Sequence, residues 1–261
     1  MPPLTGRSVR HTLCNKVPTM KHALSLALTA LVLSGCASHK PEDFKGTWIN
    51  QHAIDVASKG TSLRKALSEN GPVLEWRIDV DQQKASLSNG FEAADGHLVA
   101  DKNDWQVTFD AGQRESLSMD GQELVQAPGK LGGKQVFERS SAPSNTPLGG
   151  AFEKALYQGY LGGNWKIVEG PGQGNYAQFR DDGMVTGLPG PDRYALCLAG
   201  DCATMSGEND SLWLEREQRG SPWIFKRDGK TLEIFQAVNR AQPNEMPQLA
   251  AGERRWVLEK Q

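Results

Sequence analysis

The side chains best suited to covalent or metal chemistry are few: four cysteines and five histidines in 261 residues. Cys197 and Cys202, in ALCLAGDCATM, are close enough to bond across a turn at Gly200-Asp201. With Met205 as a third soft donor, the same pair is a candidate copper(I) site. A disulfide is the expected state, because no histidine follows His97 and no further cysteine lies nearby. Of the histidines, only His39, His52 and His97 follow Cys36. A histidine-dependent triad therefore has two candidate bases in the body of the protein and no recognisable nucleophile. Ser62 and Lys65 match the Ser-x-x-Lys spacing of an acyl-enzyme serine, but the companion motifs are missing. The preferred reading is a helix N-cap followed by a solvated lysine. GPGQG (170–174) lacks the Lys-Ser/Thr ending of a phosphate loop and reads as a connection between strands. No catalytic residue, cofactor or resident metal is expected.

Cys36 closes the stretch LVLSGC (31–36) and has a different role. Lys21 and His22 precede an apolar run, Ala23 to Leu33, which ends in the small residues Ser34 and Gly35. This is the layout of a secretory signal. The run is about half the ~20 residues that a membrane-spanning helix needs. Leu33, Ser34, Gly35 and Cys36 resemble, position by position, the lipobox of bacterial lipoproteins. The resemblance implies that Cys36 is diacylated on sulfur, becomes the new N-terminus and is then N-acylated. Met20 is the natural start of such a signal, leaving residues 1–19 without a role; Cys14 leaves the mature chain in either case. An aspartate after the lipidated cysteine retains such proteins at the inner membrane. Ala37 in that place implies the outer membrane, with the body facing the periplasm. Such an oxidising compartment also favours the Cys197–Cys202 disulfide.

Residues 1–35 hold four basic and no acidic side chains, so their removal takes the formal net charge from −2 to −6. A body of that sign has no electrostatic reason to bind nucleic acid or an anionic lipid surface. Membrane attachment then rests on acyl chains, at about 0.8 kcal/mol per buried methylene.

The tryptophans reveal the organisation of the remainder. GTW (46–48) recurs as GNW (163–165), Trp105 and Asp110 recur as Trp223 and Asp228, and VFER (136–139) resembles WVLEK (256–260). The offsets are nearly constant, which predicts a tandem duplication. The expected divisions are a signal over 1–35, a lipidated tether over 36–43, a first β domain over 44–140, a linker with a short helix over 141–160, and a second β domain over 161–261. Each half is long enough for a core of its own and is expected to fold alone. Leu74, Trp76, Ile78 and Val80 alternate with polar residues, as do Trp105, Val107 and Phe109. That period of two predicts half-buried strands. Five Asx-Gly pairs, at Asn89, Asp95, Asp120, Asp182 and Asp228, predict tight hairpins. Residues 53–69 predict one helix in the first half, and AFEKALYQGY (151–160) another in the linker. The class is all-β, mainly antiparallel, with two small barrels or sandwiches.

The Gly-x-Trp opening of each half resembles lipocalin-like domains, in which the tryptophan plugs one barrel end beneath an arginine from the last strand. The resemblance implies Arg139 over Trp48, and Arg254 or Arg255 over Trp165. The segment 179–205 is also similar to small β domains of META-type envelope proteins. Barrels of this size have interiors nearly filled by side chains, so most tryptophans are expected in the core. The expected function is binding or scaffolding of another envelope protein. A carrier or sensor of a small hydrophobic molecule is the alternative, and an enzyme is the least favoured class.

Replacing the anchor residue tests the first of these readings. Cys36→Ser is expected to abolish acylation and leave a larger, uncleaved precursor. Fatty-acid labelling in cells checks this, and a Cys36→Ser protein that still takes up the label would contradict it.

Overall fold

The predicted alternation appears as two eight-stranded antiparallel sheets in a computed structural model, which describes residues 39–60, 62–102, 104–110 and 112–261. The expected signal segment, with Cys14, and the expected lipidation site, Cys36, lie outside the described residues. The first half runs α1 (Pro41–Phe44), β1 (Gly46–Ile49), α2 (Gln51–Ser58), α3 (Leu63–Glu69), β2 (Glu75–Asp79), β3 (Lys84–Ser88), β4 (Ala93–Asp101), β5 (Asp104–Phe109), β6 (Arg114–Asp120), β7 (Glu123–Gln126) and β8 (Gln135–Arg139). The linker helix α4 (Gly150–Leu156) ends in a π turn over Tyr157–Leu161. The second half follows as β9 (Gly163–Glu169), β10 (Tyr176–Phe179), β11 (Val185–Thr186), β12 (Arg193–Leu196), α5 (Gly200–Ser206), β13 (Asp210–Arg216), β14 (Arg219–Asp228), β15 (Thr231–Asn239) and β16 (Leu249–Lys260).

Strands β1 to β8 form a closed meander in which β1 pairs with both β2 and β8. The second sheet has the order β11-β10-β9-β16-β15-β14-β13-β12, and its outermost strands meet at one bridge, Met184 with Arg193. The chain is thus mainly antiparallel β, with two tandem small barrels. The inward positions of the first barrel are filled by Trp48, Trp76, Leu98, Val107, Leu117 and Phe137, among others, all buried. A tryptophan removes about 150–250 Å² from water. At about 25 cal/mol per Å², that is about 4–6 kcal/mol each before conformational entropy is subtracted.

The two Gly-x-Trp motifs form the same local structure. Gly46 and Gly163 have φ of 128° and 114°, a region that other residues avoid. A Cβ on Gly46 would also lie 2.8 Å from the Arg139 guanidinium. Each indole then donates to the carbonyl four residues earlier, Trp48 to Phe44 and Trp165 to Leu161, both at 2.8 Å. This bond ties the helical turn closing each barrel end to the first strand of that barrel.

Several expectations are corrected. The helix expected over 53–69 is two helices, α2 and α3, separated at Gly60, whose φ of 105° breaks the first. Four Asx-Gly pairs make hairpin turns, but Asp95-Gly96 lies inside β4. There Gly96 makes room for the neighbouring strand, since a Cβ would sit 2.5 Å from Val107. Trp105 stands on the fifth strand of its sheet and Trp223 on the sixth of its own, so this middle landmark is not equivalent in the two halves.

The linker divides the strands but not the core. Ile54 and Ala57 of α2, with Leu63, Ala66 and Leu67 of α3, share one apolar cluster with Phe152, Tyr160, Trp165 and Phe225 of the second half. The helices inserted between β1 and β2 therefore complete the second barrel. Two buried carboxylates fix them there. Asp210, on β13, accepts from the backbone amides of Leu63 at 2.9 Å and Arg64 at 2.7 Å, capping α3. Glu75, on β2 and fully buried, accepts from Ala151 at 3.0 Å and Phe152 at 3.1 Å, capping α4. With the linker helix counted in the second half, each half thus supplies the anion for a helix N-terminus of the other, where unsatisfied amides and the helix dipole favour negative charge. At the opposite end of the α2 backbone, Arg227 of β14 donates to the carbonyls of Ala57 and Ser58. The described residues form one compact unit.

Burial raises the Asp210 carboxyl above its ordinary value of 3.8, and the amides of Arg64 and Leu63 oppose that shift only in part. The native state therefore holds this proton more tightly than the unfolded chain. The contribution of Asp210 to stability falls as pH rises from about 3.8 through the raised value, and levels off above it. Asp210→Asn removes the titration, so the stability difference between wild type and variant is expected to change in that window. Urea unfolding of both proteins across the acid range measures it, and a pH-independent difference would contradict the assignment.

Candidate binding cleft between the barrels

Where the β3–β4 turn of the first barrel approaches β12 and β13 of the second, a half-open cleft of about 760 Å³ remains. Its floor is the linker, Thr146 to Gly150, with the first turns of α4. Tyr157 closes the inner end, where its hydroxyl donates to Glu153 and accepts from the Leu196 amide. The ring packs 4.8 Å from Tyr194, which in turn meets Phe179 edge-on at 5.2 Å. Burial pushes both tyrosine hydroxyls well above their ordinary value, with Glu153 adding to the effect at Tyr157 and Asp181 at Tyr194. They stay protonated and serve as structural hydrogen-bonding groups.

The second wall is shaped by the Cys197–Cys202 disulfide. The expected turn at Gly200-Asp201 is the start of α5, so the bond ties the end of β12 to a helix. With a loop this short, the chain-entropy account gives about 2 kcal/mol of stabilisation. Both sulfurs are consumed, which removes the pair as a thiolate site for copper beside Met205.

Two exposed aromatic rings flank the cleft, and each lies on a glycine. Phe91, 60% exposed, comes from the first barrel and rests on Gly200, where a Cβ would meet its ring at 2.3 Å. Trp213, 44% exposed, packs against Gly220 on the adjacent strand, where a Cβ would come within 2.0 Å of the indole nitrogen. The alternation of β13 buries Leu212 and Leu214 and turns Trp213 and Glu215 outward. The lining carries five carboxylates, from Glu92, Glu153, Asp181, Asp182 and Glu215, against the cations of Lys154 and Arg193. Lys154 pairs with Asp181 at 3.6 Å, Asp182 with Arg180 at 2.6 Å, and the Arg193 guanidinium donates to the Met184 sulfur at 3.7 Å.

The barrel interiors offer less space. In the first, Trp76 donates to Gln126, which donates to the buried Glu115, whose carboxylate also accepts from Gln113 and the Leu131 amide. This chain satisfies the polar groups beneath the barrel mouth. The mouth itself is a shallow apolar depression of about 460 Å³ bounded by Val73, Leu87, Ala94, Phe109 and Leu131.

The residues expected at the barrel ends divide. Arg139 lies 4.1 Å over Trp48, opposite it in register on β8, and also donates to the carbonyls of Asp43 and Lys45. Over Trp165 the cation is Lys260, 5.6 Å away and paired with it in register on β16. Burial, with Arg227 nearby, lowers the Lys260 pKa. Arg254 instead forms ion pairs of 2.6 Å with Glu169 and Glu233, and Arg255 covers Trp256 at 5.7 Å. The expectation of an arginine at this place is corrected to a lysine, set by strand register.

Candidate catalytic groups do not converge. His52 on α2 and His97 on β4 are both exposed. Ser62 caps α3 by accepting from the Lys65 amide at 3.2 Å, while the Lys65 ammonium faces Glu69 at 3.8 Å. Among the described residues there is no group of three or more His, Cys, Asp or Glu side chains placed to hold a metal ion, and no helix is long and apolar enough to cross a membrane. Phe91, Glu92, Trp213 and Glu215 were not singled out by sequence reasoning. The outward position of Trp213 was readable from its neighbours Leu212 and Leu214. No protein-family model matches the chain, and neither a curated protein nor a solved structure is significantly similar to it.

Proposed function

We propose that this chain is a lipid-anchored lipoprotein on the periplasmic face of the bacterial outer membrane, and that its two-barrel body binds another envelope protein through the inter-barrel cleft. The lipobox-like sequence at Leu33 to Cys36 supports the address. One observation carries the binding role: the barrel interiors are packed with side chains, while the large concavity is outside them and is flanked by the exposed Phe91 and Trp213. Exposed aromatics in a cleft are the usual anchors of a protein contact. About ten residues separate Cys36 from Gly46, and at ~3.3–3.6 Å each they span at most ~35 Å. A partner is therefore met close to the membrane.

A second reading, a lipocalin-like carrier of a small hydrophobic molecule, draws on the apolar mouth of the first barrel. Its depression is smaller than the cleft, about 460 Å³ against 760 Å³, and the side chains beneath it are already hydrogen-bonded. An enzyme has the least support, since no nucleophile and base are brought together in the described residues.

Photo-crosslinking in intact cells separates these readings. A photoreactive residue at position 92, inside the cleft, is expected to trap a discrete envelope protein. The same residue at position 240, outside the cleft lining, is expected to trap none. Equal labelling from both positions, or an apolar small molecule co-purifying in stoichiometric amount, would overturn the proposal.

A further inference from the structure

We infer that the cleft accepts an extended basic segment of polypeptide, with a lysine or arginine side chain laid across the exposed face of Trp213. This inference deepens the binding role proposed above and rests on the same cleft, but its chemistry follows from the charge distribution there. Of the five carboxylates in the lining, Asp181 and Asp182 are already ion-paired and Glu153 is engaged by the Tyr157 hydroxyl. Lys154 is paired with Asp181, whereas Arg193 donates only to the neutral Met184 sulfur and stands opposite Glu215 in register. Glu92 on the first-barrel wall and Glu215 on the second form no ion pair among the described residues, and with Glu153 they outnumber the one unpaired cation of the lining, Arg193, so the cleft keeps a net negative charge.

The aromatic geometry fits the same occupant. Trp213 and Glu215 stand two residues apart on one face of β13, about 6.6 Å along the strand. Ala195 and Pro222, the register partners of Trp213, are small or compact, and Gly220 leaves room for its pyrrole ring. An exposed indole beside a carboxylate attracts a cation through both the ring quadrupole and the charge. Phe91, Leu148 and Leu198 add apolar surface for neighbouring side chains. An extended chain spaces its alternate side chains by a similar ~6.6 Å, so one residue can meet Trp213 while the next on that face meets Glu215. A volume near 760 Å³ holds a few residues. A neutral glycan also stacks on an indole, but it would leave the net negative charge of the lining unanswered; an acidic segment would be repelled by it.

The test uses the full-length chain purified in detergent and three probes. These are a short fluorescent peptide of Lys and Arg alternating with Ser and Leu, the same peptide with Glu at every basic position, and a neutral β-1,4-linked oligosaccharide. Fluorescence anisotropy is expected to show saturable binding of the basic peptide alone, weakening as salt is raised. Trp213→Ala and, separately, Glu215→Gln are each expected to weaken it by roughly 5- to 10-fold. Glu215→Gln keeps the shape of the site, so its effect does not depend on Trp213→Ala folding normally. Binding of the acidic peptide or the oligosaccharide as tightly as the basic one, no saturable binding of the basic peptide, or basic-peptide binding unchanged in Glu215→Gln would overturn the inference. If the inference fails while position 92 still traps an envelope protein in cells, the binding role stands and only the basic chemistry of the partner is lost.

Discussion

Two buried carboxylates, each capping a helix that belongs to the other half of the chain, hold this structure together. A carboxylate taken out of water is costly unless charge or hydrogen-bond donors replace its hydration. Glu75 and Asp210 find those donors in the amides at the starts of α4 and α3, across sequence separations of 76 and 147 residues. Arg77 of the same half pairs with one Glu75 oxygen at 3.3 Å, but the other oxygen relies on the α4 amides, and Asp210 relies on those of α3. The apolar counterpart is the α2–α3 insertion, which leaves the first barrel and completes the core of the second. The cleft depends on this arrangement, because Phe91 and Glu92 come from one half and Trp213 and Glu215 from the other. The resting place of Phe91 on Gly200 is likewise a contact between halves.

The two halves match at their closed barrel ends and differ in the helices inserted between their strands. Both keep the positive-φ glycine, the indole bonded four residues back, and a cation from the last strand above the ring. The cation is an arginine in one and a lysine in the other, which fits a position where any long, positively charged side chain can lie along the indole. The first half carries helices after its first strand, while the second carries its helix between β12 and β13, stapled by the disulfide. With both interiors filled, the cleft of about 760 Å³ lies between the barrels.

The parts of the fold governed by neighbours in sequence were legible. Alternation along Leu74 to Val80 gave the strands, most Asx-Gly pairs gave the turns, and the spacing of Cys197 and Cys202 gave the disulfide. The parts governed by distant partners were not. Gly60 is the exception, a local signal: with the N-cap Ser62 just after it, the glycine divides α2 from α3 without any distant partner. Asp95-Gly96 looks like a turn but serves strand packing, because the side chains that need its space, Val107 and Phe109, lie on another strand. Lys260 stands where Arg254 or Arg255 was expected because β16 pairs with β9 so that Lys260 is opposite Trp165, which leaves both arginines further along the strand. Glu75 and Asp210 read as ordinary strand residues until the helix ends that they cap are brought to them.

The central claim is that neither half is complete without the other, and fragment complementation tests it most directly. Residues 39–145 and 146–261 would be purified separately, then mixed, and their urea unfolding followed by tryptophan fluorescence. The account requires that 146–261 alone, lacking α2 and α3, show a broad transition and bind a hydrophobic dye at its uncovered core. Mixing should restore one cooperative transition and abolish the dye signal. Sharp, independent transitions in each isolated fragment, unchanged on mixing, would contradict it.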